Sequence, residues 1–387
     1  MNLIEIFRMG CQSRRIGPYC FRRTQRRHFM NLWGSSSTST NHDDTDRRKN
    51  DLDKVVRDAE KIVGYPTSFM NLRCLLSDEM SNVVMYLRKL AGTGHPLLKT
   101  ARGLLLDGKN GRQTRGLIVL LMSKAAGISE TPQSMDSNVV SGIHNSQRQL
   151  AEITEMIHTA TLIHKGVINL KDVIIEEQKK DMKFGNKVAI LSGDFLLANA
   201  CTGLASLNNT EVVEIISGAI ANLVEAEFTS RVGDIFTSFD VWKQYTYLSI
   251  AALIAKSCQA ALILAHHSVN YQKNAYEYGK HVAFLHQLYQ DLQPFIHPNE
   301  FGQEFRISSA PAVLYFHEKK IDISSVSLGK QDKQQLYKEI KESAAIDAIK
   351  NLCSEHGQKA LTSLNFLPES DARKTLEDIV RVFSVKR

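Results

Sequence analysis

The sequence predicts an all-α protein, and three observations carry that expectation. Apolar residues recur at three-to-four-residue spacing through most of the chain, only 8 of its 387 residues are proline, and no Pro-rich or Gly-rich linker divides it from about residue 52 onward. Recurrence at i, i+3, i+4 and i+7 gathers apolar side chains on one face of a helix. With 43% hydrophobic and 23% charged residues, the chain can bury a sizeable core and lacks the composition of a disordered protein. The expected organisation is a leader over 1–40, a disordered linker over 41–51, and one helical domain over 52–387.

The leader accounts for the basicity. Residues 1–40 hold seven arginines (Arg8, Arg14, Arg15, Arg22, Arg23, Arg26, Arg27), one acid (Glu5) and a closing Ser/Thr run from Ser35 to Thr40. An Arg-rich, Ser-rich, acid-poor start is the composition of an organellar transit peptide, and the mitochondrial matrix is the expected compartment. Removing these residues takes +6 from the net charge of +7 and leaves +1, so the charge gives no ground for a nucleic-acid partner. Cys11, Cys20, Cys74, Cys201, Cys258 and Cys353 show no paired spacing, which argues against a zinc site or a disulfide framework. The neighbours His266 and His267 likewise lack a metal-ligand pattern. The apolar stretch from Leu248 to Ala265 is interrupted by Lys256 and Gln259, so it reads as a buried helix; no transmembrane segment is expected.

Next come the segments that carry chemistry. Residues 111–121 read GRQTRGLIVLL, with Arg112 and Arg115 three apart. Residues 151–169 read AEITEMIHTATLIHKGVIN. On a helix, Leu150, Ile153, Ile157, Ala160 and His164 form one buried stripe, and Glu155, His158, Leu162, Lys165 and Asn169 form the neighbouring face. A lysine pair, Lys179 and Lys180, follows. Residues 185–200 read GNKVAILSGDFLLANA, and 278–295 read YGKHVAFLHQLYQDLQPF. Proline removes a donor and crowds the preceding turn, so Pro294 is expected to end the last of these helices. The tail from Gln331 to Arg387 also reads as helical, with Leu361, Leu364 and Leu367 near its centre.

These segments, in this order, closely resemble the trans-polyprenyl diphosphate synthases over about residues 52–385. The resemblance implies an isoprenoid-synthase-type bundle of antiparallel helices around a deep apolar cavity. It also locates what has been lost. The family places two aspartates after the last His of its first motif helix and a third three residues further on; those positions here are Lys165, Gly166 and Asn169. On a continuous helix, carboxylates at 165 and 169 would share a face and hold magnesium, which prefers hard oxygen ligands. The substitution changes the formal charge there from about −3 to about +1, and an ammonium ~4 Å from a divalent ion repels it by roughly 8 kcal/mol at an effective dielectric near 20.

The second acidic motif becomes Gln290, Asp291 and Pro294, with one carboxylate surviving. Ser249 and Ile250 stand where the family has Lys-Thr, and the lysine pair 179–180 stands in the region of the family's paired arginines. Arg112 and Arg115 resemble the basic segment that grips isopentenyl diphosphate, so residual diphosphate binding is an expectation for them. His158, Ala160 and Thr161 are expected to line the cavity; the small size of the last two fits either a long cavity or close helix approach.

Loss of both acidic motifs inside well-kept flanks resembles the non-catalytic subunits of heteromeric, decaprenyl-type synthases that make the ubiquinone side chain. The resemblance implies no metal and no catalytic residue in this chain. It also implies a catalytic partner subunit that carries Mg2+, a hetero-oligomer of two or four chains, isoprenoid diphosphates in the complex, and at most peripheral membrane contact. Two other readings stay open. One is an autonomous transferase using Asp291, Asp194 and Glu155 for metal; the other is an isoprenoid-binding scaffold outside catalysis.

Overall fold

In the computed structural model the described residues are 43–65, 90, 94–98, 100, 114–129, 139–229, 231–232, 235–298, 305–321 and 330–384. The leader and Arg112 lie outside them. The helices are α1 (Asp43–Val63), α2 (Thr114–Ala126), α3 (Asn145–His164), α4 (Glu176–Ser206), α5 (Thr210–Ala226), α6 (Phe239–Thr246), α7 (Ala252–Leu264), α8 (Val269–Ile296), α9 (Ala310–Lys319), α10 (Lys330–Glu342), α11 (Ala344–Thr362) and α12 (Asp371–Phe383). The all-α expectation holds, with two short additions. Val139–Val140 pairs with Ile143–His144, and Arg231–Val232 with Ile235–Phe236, each an antiparallel two-residue hairpin. The first turns through Ser141 and Gly142, both at positive φ (54° and 77°), the geometry a tight two-residue hairpin needs.

Two compact units are present. Of the described residues, one takes 43, 65, 90–100, 114–116 and 152–206 and the other takes 44–64, 117–129, 139–151 and those from 207 onward. The chain passes between them five times, so no single composition change in the sequence marks the division. Within the expected linker over 41–51, residues 43–51 form the first turns of α1.

In the first unit, Leu90, Leu97, Ala160, Ile163, Val188, Ala189 and Leu196 form a buried apolar cluster against which Met156, Phe184 and Leu197 pack. The helix surfaces close over two imidazoles because two glycines leave room. A Cβ on Gly185 would lie 2.2 Å from the His95 ring, and one on Gly193 would lie 2.1 Å from the His164 ring. His95 is almost fully buried, so its ring cannot swing into water. Gly185→Ala is therefore expected to destabilise the chain by about 1–3 kcal/mol, the usual cost of overpacking, measured as a lower denaturation midpoint at unchanged m-value; no change in midpoint would show that the His95 contact is dispensable.

In the second unit α8 is the central helix, packed on α7 and α11. Gly279 permits the α7 contact: a Cβ there would meet the Ala255 Cα at 2.8 Å. Fully buried Tyr278 donates its hydroxyl to the Leu376 carbonyl at 2.9 Å, tying α8 to α12. Pro294 does not end α8, which continues to Ile296. Its carbonyl is among the last four that a helix leaves without an internal partner, and the Tyr337 hydroxyl donates to it at 2.9 Å. Phe295 stacks on the same tyrosine ring. Those contacts hold the final turn in place.

Two helical stretches, Gln178–Ser206 and Phe239–Leu264, are long and apolar enough by length and composition to cross a membrane. The sequence reading had passed over the first. The second is 72% buried, as expected of a core helix.

Candidate functional site

The degenerate first motif begins where α3 stops. The Lys165 N–H still bonds to the Thr161 carbonyl at 3.0 Å, but Gly166 N–H turns to Ile163 O (2.9 Å) and Val167 N–H to His164 O (3.0 Å), closing the tighter i to i+3 rings. The expected continuous helix over 165–169 is thus corrected. Glycine and two β-branched residues are weak helix formers, and Asn169 takes up a cap instead: its side chain accepts from Lys171 N–H, opening a 3₁₀ turn over Leu170–Asp172. Positions 165 and 169 do not share a helical face here.

The segment is held from α4. Asn186 grips both backbone groups of Ile168, accepting from its N–H at 2.9 Å and donating to its carbonyl at 2.8 Å. His95 Nε2 lies 3.2 Å from the same Asn186 oxygen. His164 Nε2 lies 3.3 Å from Asp194 Oδ1 and 3.2 Å from the Ile190 carbonyl. The Gly-Asp signature on α4 and the last His of α3 therefore meet in one contact.

Around the start of α2 and the middle of α3 lies a buried polar group. Arg115 Nη1 is 2.9 Å from His158 Nε2, and Glu155 Oε1 accepts from Gly116 N–H at 2.8 Å. Burial lowers Arg115 to about 10, with Glu155 opposing; the guanidinium stays charged at neutral pH. Burial raises the Glu155 carboxyl, against the pull of the Gly116 N–H and Arg115. His158 is held well below its ordinary value, first by burial and then by the charges of Arg115 and Lys165. Thr114 Oγ1 and Glu155 Oε2 are buried without a hydrogen-bond partner. Ala160 sits in the apolar cluster of this unit, and Thr161 is half-buried with its hydroxyl donating to Ile157 O at 2.9 Å. Lys179 pairs with Glu176 one turn back, and Lys180 is exposed.

The second motif, on α8, is internally saturated. Asp291 has a side chain 1% exposed. Its Oδ1 accepts from Gln287 Nε2 (2.8 Å) and Arg306 Nη2 (2.5 Å), and its Oδ2 from Ala310 N–H at the start of α9 (2.8 Å). Burial raises its carboxyl, while Arg306 and the two other donors pull it down. Gln290 lies 3.3 Å from His286. Ser249 and Ile250 fall in a π-helical turn over Tyr247–Ala251, and the Ser249 hydroxyl is buried without a partner.

Magnesium needs several hard oxygen ligands in near-octahedral array. The first motif offers an ammonium, a glycine and an amide engaged as a cap, and the carboxylate of the second is taken by an arginine and two N–H groups. These residues do not fit the ion. Among the described residues no three His, Cys, Asp or Glu side chains gather closely enough to hold a metal ion.

Residues 97–306 match the Polyprenyl synthetase family profile. The human all trans-polyprenyl-diphosphate synthase PDSS2 is 49% identical over 349 residues, covering 86% of this chain and 87% of that protein. The chain belongs to the polyprenyl synthetase family. A probable hexaprenyl pyrophosphate synthase, mitochondrial, from Neurospora crassa is 30% identical over 364 residues, covering 81% of each chain. The apo Arabidopsis medium/long-chain length prenyl pyrophosphate synthase superposes with a TM-score of 0.55 at 27% identity, over 80% of this chain and 97% of that one. This polyprenyl synthetase thus has the isoprenoid-synthase fold that its sequence resembles.

Two features of this family member escaped the sequence reading. Asn186 lies inside a quoted segment, yet nothing in its spacing marks an amide as the clamp on Ile168. Arg306 lies 15 residues beyond Asp291, a separation that no helical periodicity connects.

Proposed function

We propose that the chain is a non-catalytic, stabilising subunit of a heteromeric trans-polyprenyl diphosphate synthase, which condenses isopentenyl diphosphate onto an allylic diphosphate to build the ubiquinone side chain. Two observations carry this reading, the saturated Asp291 carboxylate in the second motif and, separately, Lys165 just past the end of α3 in the first: neither motif retains the oxygen donors that metal-assisted ionisation of an allylic diphosphate demands. The catalytic partner would supply those donors and the Mg2+, in a dimer or tetramer whose stoichiometry is part of the proposal. Mitochondrial location is proposed on two grounds, the Arg-rich composition of residues 1–40 and the mitochondrial name of the Neurospora relative.

The test is isopentenyl incorporation with farnesyl diphosphate and magnesium, using this chain alone, the catalytic partner alone, and the two co-expressed. Product only from the co-expressed pair is the expected result. Product from this chain alone would overturn the reading and favour an autonomous transferase.

A further inference from the structure

Between α3 and α4 the chain displays apolar side chains that neither motif uses. Asn186 fixes Ile168, and the 3₁₀ turn over Leu170–Asp172 follows. Val173 beyond it is buried, whereas Ile174 is 88% exposed and Ile175 is exposed beside it. Two adjacent isoleucines held in water forfeit the gain that burial gives an aliphatic side chain. The Asn186 clamp and the inward Val173 anchor this turn, so the isoleucines cannot fold inward without giving up those contacts.

Helix α4 starts at the next residue and adds charge. At 3.6 residues per turn, Lys180, Lys183 and Lys187 lie within about 60° of one another, and all three are exposed. One turn further on, the same face carries exposed Ile190 and Leu191. Residues 165–191 hold six lysines and four acidic residues. Among the acids, Glu176 pairs with Lys179, and Asp181 stands at least about 100° round the helix from each lysine of the stripe. Lysine is depleted at protein–protein interfaces, but beside a lipid surface its stem covers apolar area while its ammonium stays among the headgroups. Isoleucines bordered by a lysine stripe therefore suit a lipid surface better than a protein one.

We propose that Ile174, Ile175 and the stripe Lys180, Lys183 and Lys187 form a docking surface for an anionic bilayer. The isoleucines enter the acyl boundary and the ammonium groups pair with lipid phosphates. The inference deepens the function proposed above and rests on it at one point: the product of a polyprenyl synthase joins a diphosphate to a long apolar chain, which partitions into lipid. A subunit that brings no metal then holds its complex at the membrane that receives the product.

The test is co-sedimentation of the full chain with vesicles of phosphatidylcholine alone, or of phosphatidylcholine with about one-third phosphatidylglycerol. In every sample the seven arginines of residues 1–40 are changed to glutamine, so that the leader does not supply the attraction. Binding to the anionic vesicles that weakens with salt, and much weaker binding to the neutral ones, is the expected result. Lys180→Gln, Lys183→Gln and Lys187→Gln together should weaken binding by about a hundredfold, roughly fivefold per charge. Ile174→Ser with Ile175→Ser should weaken it by about tenfold or more. All five side chains are exposed, so the thermal midpoints should match the parent's, and the two sets of changes test the surface independently. Equal binding to both vesicles, binding to neither, or variants that bind like the parent would each overturn the proposal. So would an isoleucine variant that keeps vesicle binding and loses co-purification with a catalytic subunit, which would assign the surface to a protein. No step here involves turnover, so product from this chain alone in the incorporation assay would strike the proposed function and leave the vesicle result standing.

Discussion

Asp291→Ala is expected to lower the stability of the chain by about 3 kcal/mol, the lower end of the cost of breaking a buried ion pair. The deletion leaves Gln287 Nε2, Ala310 N–H and Arg306 without the acceptor they share. The estimate stays at the lower end because the Arg306 side chain is 30% exposed and can turn toward water. Asp291→Asn should cost less, since an amide oxygen still accepts, although its NH2 then faces a donor. Urea denaturation of the two variants beside the parent checks the order. This result bears on function as well as folding. A carboxylate kept for metal sits among other oxygen acceptors and gains stability when neutralised; one kept among donors as a latch between α8 and α9 loses stability on any change. A more stable Asp291→Asn protein would contradict the latch.

The second large effect is on acid stability. His281 on α8 and His356 on α11 face each other with Nδ1 atoms 3.0 Å apart, a hydrogen bond that needs one nitrogen to be unprotonated. Glu277 and Lys280 flank the pair from α8, and Glu355 and Lys359 from α11; Phe284 stacks on the His356 ring. Burial, followed by the His281 charge, lowers His356 to about 4, and burial lowers His281 as well. The sign follows from proton counting. Between about pH 4 and pH 6.5 the unfolded chain binds more protons at His356 than the native one, so stability rises with pH through that window and is flat above it. The full contribution is about 3 kcal/mol for a shift of this size, present at neutral pH and lost on acidification toward pH 4. His356→Gln should flatten the slope of unfolding free energy against pH over pH 4 to 6.5. A slope identical to that of the parent would show that the pair does not titrate as its environment dictates.

Much of the fold was legible because it rests on periodicity. The stripes through α3, α4 and α8 follow from local spacing, and their order along the chain matched the family. Less visible was what depends on contacts between distant residues. Helix α3 ends at His164 rather than passing through Asn169 because Gly166 and two β-branched residues meet an asparagine that caps better than it propagates, and because Asn186 holds Ile168 in the resulting turn. Reading the family's aspartate spacing at 165, 166 and 169 as continuous helix hides that bend. Pro294 marked the end of α8 to within two residues, and the Tyr337 hydroxyl and ring, from a distant helix, explain the remainder. At the site, the loss of acidic residues could be read directly from Lys165, Gly166 and Asn169. Arg306 as the replacement cation for Asp291 could not be read, since the ion pair joins positions with no sequence relation.

In the proposed heteromer, turnover depends wholly on the partner's metal site. The most direct measurement is isopentenyl incorporation by the co-expressed complex after the first aspartate motif of the partner alone is changed to alanines, with this chain intact and complex formation verified by co-purification. Complete loss of magnesium-dependent product is the predicted result. Residual product above the partner-free background would mean that this chain ionises an allylic diphosphate itself, and would contradict the reading of Lys165, Gly166, Asn169 and Asp291 given above.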